Sequence, residues 1–295
     1  PEFHEGQSAL LHRQPDDIYR IDLQLGWDAD PEEERKPETV IPRIRKAVGD
    51  RAFSLEWVSV YTFQCRRLDR FVHDRVLFCG DSAHVVSPFG ARGGNGGIQD
   101  VDNLGWKLAA VLSGAAPASL LESYDAERVH GADENIRNSA RATRFMTPEP
   151  GAERLFRDEV LRLAGKAPFA RSMVNSGRLS RPCAYDDGPL NGPEAEGLPA
   201  ESRPGAPCPD APLGGDWLLR ALAPGFTLLC LGVDAELEGA ETVVVADPGP
   251  ELRARYLGEA ASAVYLIRPD QHVAARWAAW DAGQGAAALA KATGR

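Results

Sequence analysis

Residues 79 to 97 read CGDSAHVVSPFGARGGNGG, with six glycines, one proline and two charged side chains between a strand-like and a helix-like run. Three chemistries suit such a string. Nucleophilic catalysis is the first, because Gly80-Asp81-Ser82-Ala83-His84 approximates a G-x-S-x-G elbow with histidine in the last place. An elbow needs its helix straight after the serine, whereas Pro88 and the glycines postpone it, and no Asp and His follow in a workable order. Phosphate binding is the second, yet neither G-x-x-x-x-G-K-S/T nor G-x-G-x-x-G occurs in the chain. The third is a seat for a flat ring such as a flavin. A strand ending in Gly80-Asp81 offers a carboxylate that accepts hydrogen bonds from ribityl hydroxyls, and the glycines let backbone N–H groups approach the ring closely. A helix starting just beyond would turn its positive end toward the ring, stabilising negative charge there by about 0.3 to 1 kcal/mol.

Those residues need elements to position them. The run RVLFCGD at 75–81 is expected as a brief apolar strand ending at Gly80, a buried parallel strand whose C-terminal end opens into the loop, where sites of α/β sheets lie. After the loop Ile98, Val101, Leu104, Leu108, Val111 and Leu112 recur at three- and four-residue spacing, predicting a helix over 98–113 with one apolar face, stopped by Gly114. Further helices are expected at 118–130, 132–145 and 152–164. Upstream, residues 17–25 alternate as a strand, and residues 37–49 suit a short helix from about Ile41 with Pro42 in its first turn. Residues 55–66 also alternate, with Trp57, Tyr61 and Phe63 on one face, and both faces read as covered. Glu32 to Glu34 read as a solvated turn.

From 166 to 215 the pattern breaks down, with nine prolines between Pro168 and Pro212, as in a linker or a surface-hugging loop. Beyond it GFTLLCLG, ETVVVAD and AVYLIRPDQHVAARW read as strands, with a helix at 249–258 and Pro269-Asp270 as a hairpin turn. The fold class is therefore α/β, in two domains.

Composition excludes other classes. With 33 Lys+Arg against 43 Asp+Glu the net charge is −10, which repels phosphate backbones, so nucleic acid is not an expected partner. Apolar runs fall short of the roughly 20 residues of a membrane helix, so no membrane is expected either. Five cysteines without a CxxC form neither a disulfide framework nor a metal site, and the expected compartment is the cytoplasm.

The string RVLFCGDSAHVVSPFGARGGNGGIQDVDNLGWKLA, continuing into LLESYDAERV, resembles the GD-motif segment of the FAD-dependent aromatic hydroxylases, the flavoprotein monooxygenases typified by para-hydroxybenzoate hydroxylase. IYRIDLQLG and WVSVYTFQCRRLDRF are similar to the last strands of the family's substrate layer. RPGAPCPDAPL and YLIRPDQHVAARW resemble the thioredoxin-like C-terminal domain of its larger members. The resemblance implies that Asp81 binds the ribityl chain and that Gly80 lets the strand approach it. It places Pro88 beside the reactive edge, as the one residue implied in catalysis, and it includes Gly90 in the cofactor loop. Gly93, Gly94 and Asn95 would present backbone N–H groups to the flavin C2 carbonyl and N1. This sequence has Arg92 where many relatives have Gln or Lys, and Gly94 where many have a bulkier residue. Tyr61 and Phe63 could line an aromatic substrate pocket or belong to a core. His84 reads as a packed histidine, and Cys208 as a structural one.

The resemblance further implies a partial FAD-binding and substrate domain over residues 1–182, a linker over 183–208 and a thioredoxin-like domain over 209–295. Its activity would be NADH- or NADPH-dependent hydroxylation of a phenolic or other aromatic substrate by oxygen, through a flavin C4a-hydroperoxide. Because the ADP-binding G-x-G-x-x-G turn is not among these residues, the chain is expected to be the C-terminal part of such an enzyme. Its partners would be the N-terminal FAD-binding segment and an aromatic substrate, with a homodimer as candidate assembly. On its own it would be inactive and bind FAD weakly. The alternative is a non-catalytic docking module with a thioredoxin-like end.

Overall fold

A computed structural model describes residues 9–26, 28–88, 90–174 and 182–295. Pro1 and residues 175–181 of the proline-rich stretch lie outside them. The first half contains strands β1 (Ala9–Arg13) and β2 (Tyr19–Leu23), helices α1 (Pro31–Glu34) and α2 (Pro37–Val48), and two-residue strands β3 (Arg66–Arg67), β4 (Val72–His73), β5 (Val76–Leu77) and β6 (His84–Val85). Helices α3 (Arg92–Leu112), α4 (Leu120–Met146), α5 (Ala152–Ala164) and α6 (Pro168–Val174) follow. Two compact units divide the chain: residues 1–64 with 139–177, and residues 65–138 with 178–295.

In the first unit β1 and β2 pair antiparallel, from Ala9 opposite Leu23 to Arg13 opposite Tyr19. Glu32 to Glu34 lie in a one-turn helix rather than a bare turn, because the Asp30 side chain accepts the Glu32 N–H at 2.9 Å. The strand expected over 55–66 is not formed. Residues 51–65 carry no regular element, and Trp57, Tyr61 and Phe63 are 72, 61 and 51% exposed. Alternation alone does not make a strand; it needs a neighbour to complete its hydrogen bonds, and no strand among the described residues pairs with this run.

In the second unit the run before the loop is not a parallel strand. β5 turns back on β4 as a short antiparallel hairpin, and β3 pairs antiparallel with β6. The helix expected from Ile98 starts at Arg92, so the glycines form its first turns. The two helices expected to divide near Gly131 are one continuous α4. Gly131 is needed there for close approach: a Cβ would lie 2.7 Å from Arg128 Nη1 and 3.1 Å from Cys183 Sγ. One apolar core of this unit gathers Phe71, Val72, Ala83, Tyr124 and Ala132 beneath the glycine loop.

The second half holds β7 (Pro212–Leu213), β8 (Asp216–Trp217), α7 (Leu218–Ala221), β9 (Thr227–Leu231), β10 (Glu241–Val245), α8 (Pro250–Leu252), β11 (Ala263–Ile267), β12 (Val273–Trp277) and α9 (Ala282–Ala292). A π-helical turn, Arg253–Leu257, extends α8, so the helix expected at 249–258 is present in two forms. The sheet order is β10-β9-β11-β12, with β9 and β10 parallel and the other pairs antiparallel. Every residue of β9, β11 and β12 is buried. Alternation splits the strands between two cores: Leu229, Leu231, Tyr265 and Ile267 face one, Leu228, Cys230, Val264 and Leu266 the other. Residues 183–208 are not a free linker. Gly192 donates to the Ala274 carbonyl at 2.7 Å, Gly205 to Val273 at 2.8 Å, and Val273 to Ala206 at 2.9 Å, so the segment runs along the edge strand β12 and covers it.

Candidate functional site

The loop is built from the backbone outward. Cys79 is extended, and Gly80 then takes φ +60° to open a single 3-10 turn, Gly80–Ser82, closed by the Ala83 N–H donating to the Gly80 carbonyl at 2.9 Å. Ser82 Oγ donates back to the Cys79 carbonyl at 2.7 Å. The turn lies against the first turns of α3, where a Cβ on Gly97 would sit 3.3 Å from the Gly80 Cα. Glycine at both places permits this crossing. Further on, Gly90 and Ala91 take φ of 92° and 50° in succession, and the chain enters α3 with Ala91 as N-cap.

One buried carboxylate holds this arrangement. Asp100, fully buried on α3, accepts the Gly80 N–H at 2.9 Å and His84 Nε2 at 2.7 Å on Oδ2, and Arg128 Nε at 2.6 Å on Oδ1. Burial alone would raise its pKa, but the His84 hydrogen bond and the Arg128 charge more than reverse that, holding it below the usual carboxylate range. His84 is thus packed, 3% exposed, with Nε2 on Asp100 and Nδ1 buried without a hydrogen-bond partner among the described residues.

The loop residues expected to meet a ligand lie together in the second unit. Asp81 projects to solvent, and its carboxylate makes no hydrogen bond or ion pair among the described residues. Pro88 is exposed, its carbonyl accepting the Ala91 N–H at 3.1 Å. Gly93 and Gly94 occupy the first turn of α3, whose N–H groups have no earlier turn to bond. Gly94 is exposed, and a Cβ there would meet nothing within 4 Å. Asn95 lies one residue further into the helix. In a helix starting at Arg92 its backbone N–H is the first with a carbonyl one turn earlier, and its side-chain amide also turns back to that Ala91 carbonyl, at 2.7 Å. Tyr61 and Phe63 belong to the first unit, where their rings stack with centroids 6.0 Å apart.

The donors and acceptors here fit the flavin half of FAD. First-turn N–H groups match a pyrimidine edge made of acceptors, Asp81 matches a chain of hydroxyls, and the side-chain-free backbone at Gly80, Gly94 and Gly97 leaves room for a flat ring.

Sequence reasoning missed the residues beneath this surface. Besides Asp100 and Arg128 they include Glu127, which accepts Arg268 Nη1 and Nη2 at 2.6 and 2.8 Å, Lys107 Nζ at 2.7 Å and Asn103 Nδ2 at 2.7 Å. Asp270, in the hairpin turn after β11, pairs with Arg268 and also accepts Asn103 at 3.1 Å. Burial would raise the Glu127 carboxyl, but Arg268 and Lys107 hold it below its ordinary range, while burial pushes the Lys107 amine down to about 8. The available signal was a second stripe on α3. Arg92, Gly96, Asp100, Asn103 and Lys107 are its buried residues, whereas Ile98, Val101 and Leu112 are 70, 59 and 78% exposed. A polar stripe ordinarily faces water, so the pattern pointed outward when it faces in.

Residues 10–139 match the family described as FAD binding domain. The chain is 30% identical over 275 residues to the 12-dehydrotetracycline 5-monooxygenase/anhydrotetracycline 6-monooxygenase of Streptomyces rimosus, covering 87% of this chain and 51% of that one. It is 44% identical over 100 residues to the rifampicin monooxygenase of Streptomyces venezuelae, covering 34% of this chain and 21% of the relative. Among solved structures, RebC-10x in native and K252c-bound form superposes with a TM-score of 0.71 at 26% identity, covering 96% of this chain and 56% of that one. The fold is also that of aklavinone-11 hydroxylase, solved with FAD and aklavinone, at a TM-score of 0.73 and 23% identity over 95% of this chain and 56% of that one. The chain therefore spans about half the length of these proteins, and less of the rifampicin relative. Family match, relatives and fold point the same way as the glycine loop: residues 10–139 match an FAD binding domain, and the relatives that the chain resembles are named monooxygenases.

Proposed function

We propose that Gly80, Asp81, Pro88, Gly90, Gly93 and Gly94 hold the flavin half of FAD in a hydroxylase of which this chain forms the C-terminal part. The observation that carries the reading is the Gly80 turn, clamped on α3 by Asp100 with the Asp81 carboxylate left unengaged beside the helix N-terminus. Asp81 accepts hydrogen bonds from the ribityl hydroxyls. Gly93 and Gly94 donate their N–H groups to the acceptor edge of the ring, and the α3 N-terminus stabilises negative charge there. Pro88 shapes the edge where the substrate approaches. Bound FAD supplies the passage of electrons from NADH or NADPH and the activation of oxygen, by which an electron-rich aromatic substrate gains one hydroxyl.

The adenosine half would be held by the N-terminal FAD-binding segment of the longer relatives, packed on the apolar stripe of α3 at Ile98, Val101 and Leu112. The order of the C-terminal sheet supports a thioredoxin-like module without redox function, since Cys208 is buried and its thiol pushed up to about 12. All five cysteines are free, which suits a reducing, cytoplasmic setting, and no helix among the described residues is long and apolar enough to cross a membrane.

The test is titration of this chain with FAD and with riboflavin, followed by flavin fluorescence. Because only the flavin half is gripped, the two bind with similar, weak affinity, and Asp81→Ala weakens both about tenfold. FAD binding about a hundredfold tighter than riboflavin, or indifference of both to Asp81→Ala, refutes the reading.

A further inference from the structure

The glycine loop and the C-terminal module are linked through buried side chains of α4. Arg128 of α4, wholly buried, donates from Nε to Asp100 at 2.6 Å and from Nη1 to the Tyr185 hydroxyl at 3.0 Å. Tyr185 leads into the segment that borders β12, and its ring stacks on His272 at 4.7 Å with 24° between planes. His272 begins the return strand of the hairpin and contacts the Asp270 carbonyl through Nδ1 at 3.0 Å. The adjacent residue, Glu127, carries the two bonds from Arg268 of the same hairpin. Two successive residues of α4 thus join the C-terminal hairpin to the side chain that fixes Gly80.

We propose that Asp100 is a positioning residue for the Gly80–Asp81 turn and that the C-terminal module sets this turn through the chain Tyr185–Arg128–Asp100. The consequence for cofactor binding rests on the flavin reading of the turn; the positioning itself does not. Asp100 is irreplaceable by its amide because both its oxygens accept. An asparagine at this position offers one carbonyl oxygen and one NH2, so either the Gly80 and His84 side or the Arg128 side faces a donor in place of an acceptor. Tyr185→Phe is the milder break, keeping the ring on His272 and removing the hydroxyl that Arg128 meets.

Amide hydrogen exchange on the chain without FAD reads the first half of the proposal directly. The Gly80 amide is expected to exchange about tenfold or more faster in Asp100→Asn and several-fold faster in Tyr185→Phe, while amides of the 263–277 hairpin stay within about twofold of the wild type. Visible circular dichroism of bound riboflavin, which reports ring orientation, is expected to change in both variants. Unchanged Gly80 exchange, or equal acceleration in the hairpin, overturns the proposal; if Asp100→Asn does not fold, Tyr185→Phe decides alone. If the wild type binds no flavin but Gly80 responds as stated, the positioning stands and the flavin reading falls.

Discussion

Gly131→Ala sets two effects of known size against each other. Position 131 lies inside α4, where replacing glycine by alanine ordinarily stabilises a helix by about 1 kcal/mol. Here the added methyl would stand 2.7 Å from Arg128 Nη1, 3.0 Å from its Cζ and 3.1 Å from Cys183 Sγ. An arginine on the surface would swing aside at little cost. Arg128 is fully buried and held by Asp100 and Tyr185, so moving it separates a buried ion pair, a loss of about 3 to 5 kcal/mol. The net expectation is a loss of about 2 to 4 kcal/mol, seen in urea unfolding as a lower midpoint at unchanged slope. Gly105→Ala is the matched control. Gly105 lies inside α3, is exposed, and a Cβ there would meet nothing within 4 Å, so the same change is expected to stabilise by up to about 1 kcal/mol. A Gly131→Ala chain as stable as the wild type, or more so, refutes the claim that Arg128 is immobilised.

Acid should weaken the second unit through its buried carboxylates. Asp100, Glu127 and Asp270 are all held below their ordinary ranges by the cations beside them, so they add stability above the unfolded carboxylate range that is lost as pH falls below about 4. Urea midpoints measured from pH 6 to 3 should fall accordingly; Glu127→Gln should lose about 3 to 5 kcal/mol at pH 7 and show a shallower fall, and equal slopes would contradict the assignment. Alkylation of the native chain should label Cys65 and Cys79 before the three buried thiols, with Cys208 among the slowest; early labelling of Cys208 would point to a reactive role. Asp81→Ala should leave unfolding within about 0.5 kcal/mol of the wild type, since the carboxylate supports no other group, and a larger loss would mean that it serves the fold.

The parts legible in the sequence are those where local pattern and burial agree. The β11 run is apolar throughout and lies inside the sheet, β9 and β12 are apolar but for Thr227 and Arg276, and a tight turn forms at Gly80, where the glycine string begins. Elsewhere tertiary context decided. Residues 55–65 alternate correctly yet make no strand, because alternation describes side chains and a strand is completed by another strand's backbone. Gly131 read as a helix break, since only the folded chain shows Arg128 lying over it. The helix expected from Ile98 starts six residues earlier, at Arg92, because glycines that read as breakers form its first turns. Asp100 itself was hidden by chemistry: an aspartate on a helix resembles a solvated one until its three donors, contributed from positions 80, 84 and 128, are brought around it.

The buried network beneath the loop has a consequence for how this sequence can drift. Within this network Asp100, Glu127 and Asp270 are matched by Lys107, Arg128 and Arg268, three ions of each sign. A lone replacement of any one strands an opposite charge away from water, whereas exchanging both members of a pair for apolar side chains of similar volume can be nearly neutral. Substitutions at these six positions should therefore be tolerated in couples and rejected singly. Because Glu127 also holds Lys107 and Arg268 also holds Asp270, a library randomised at positions 107, 127, 268 and 270 together would recover folded chains that no one of these positions randomised alone could supply.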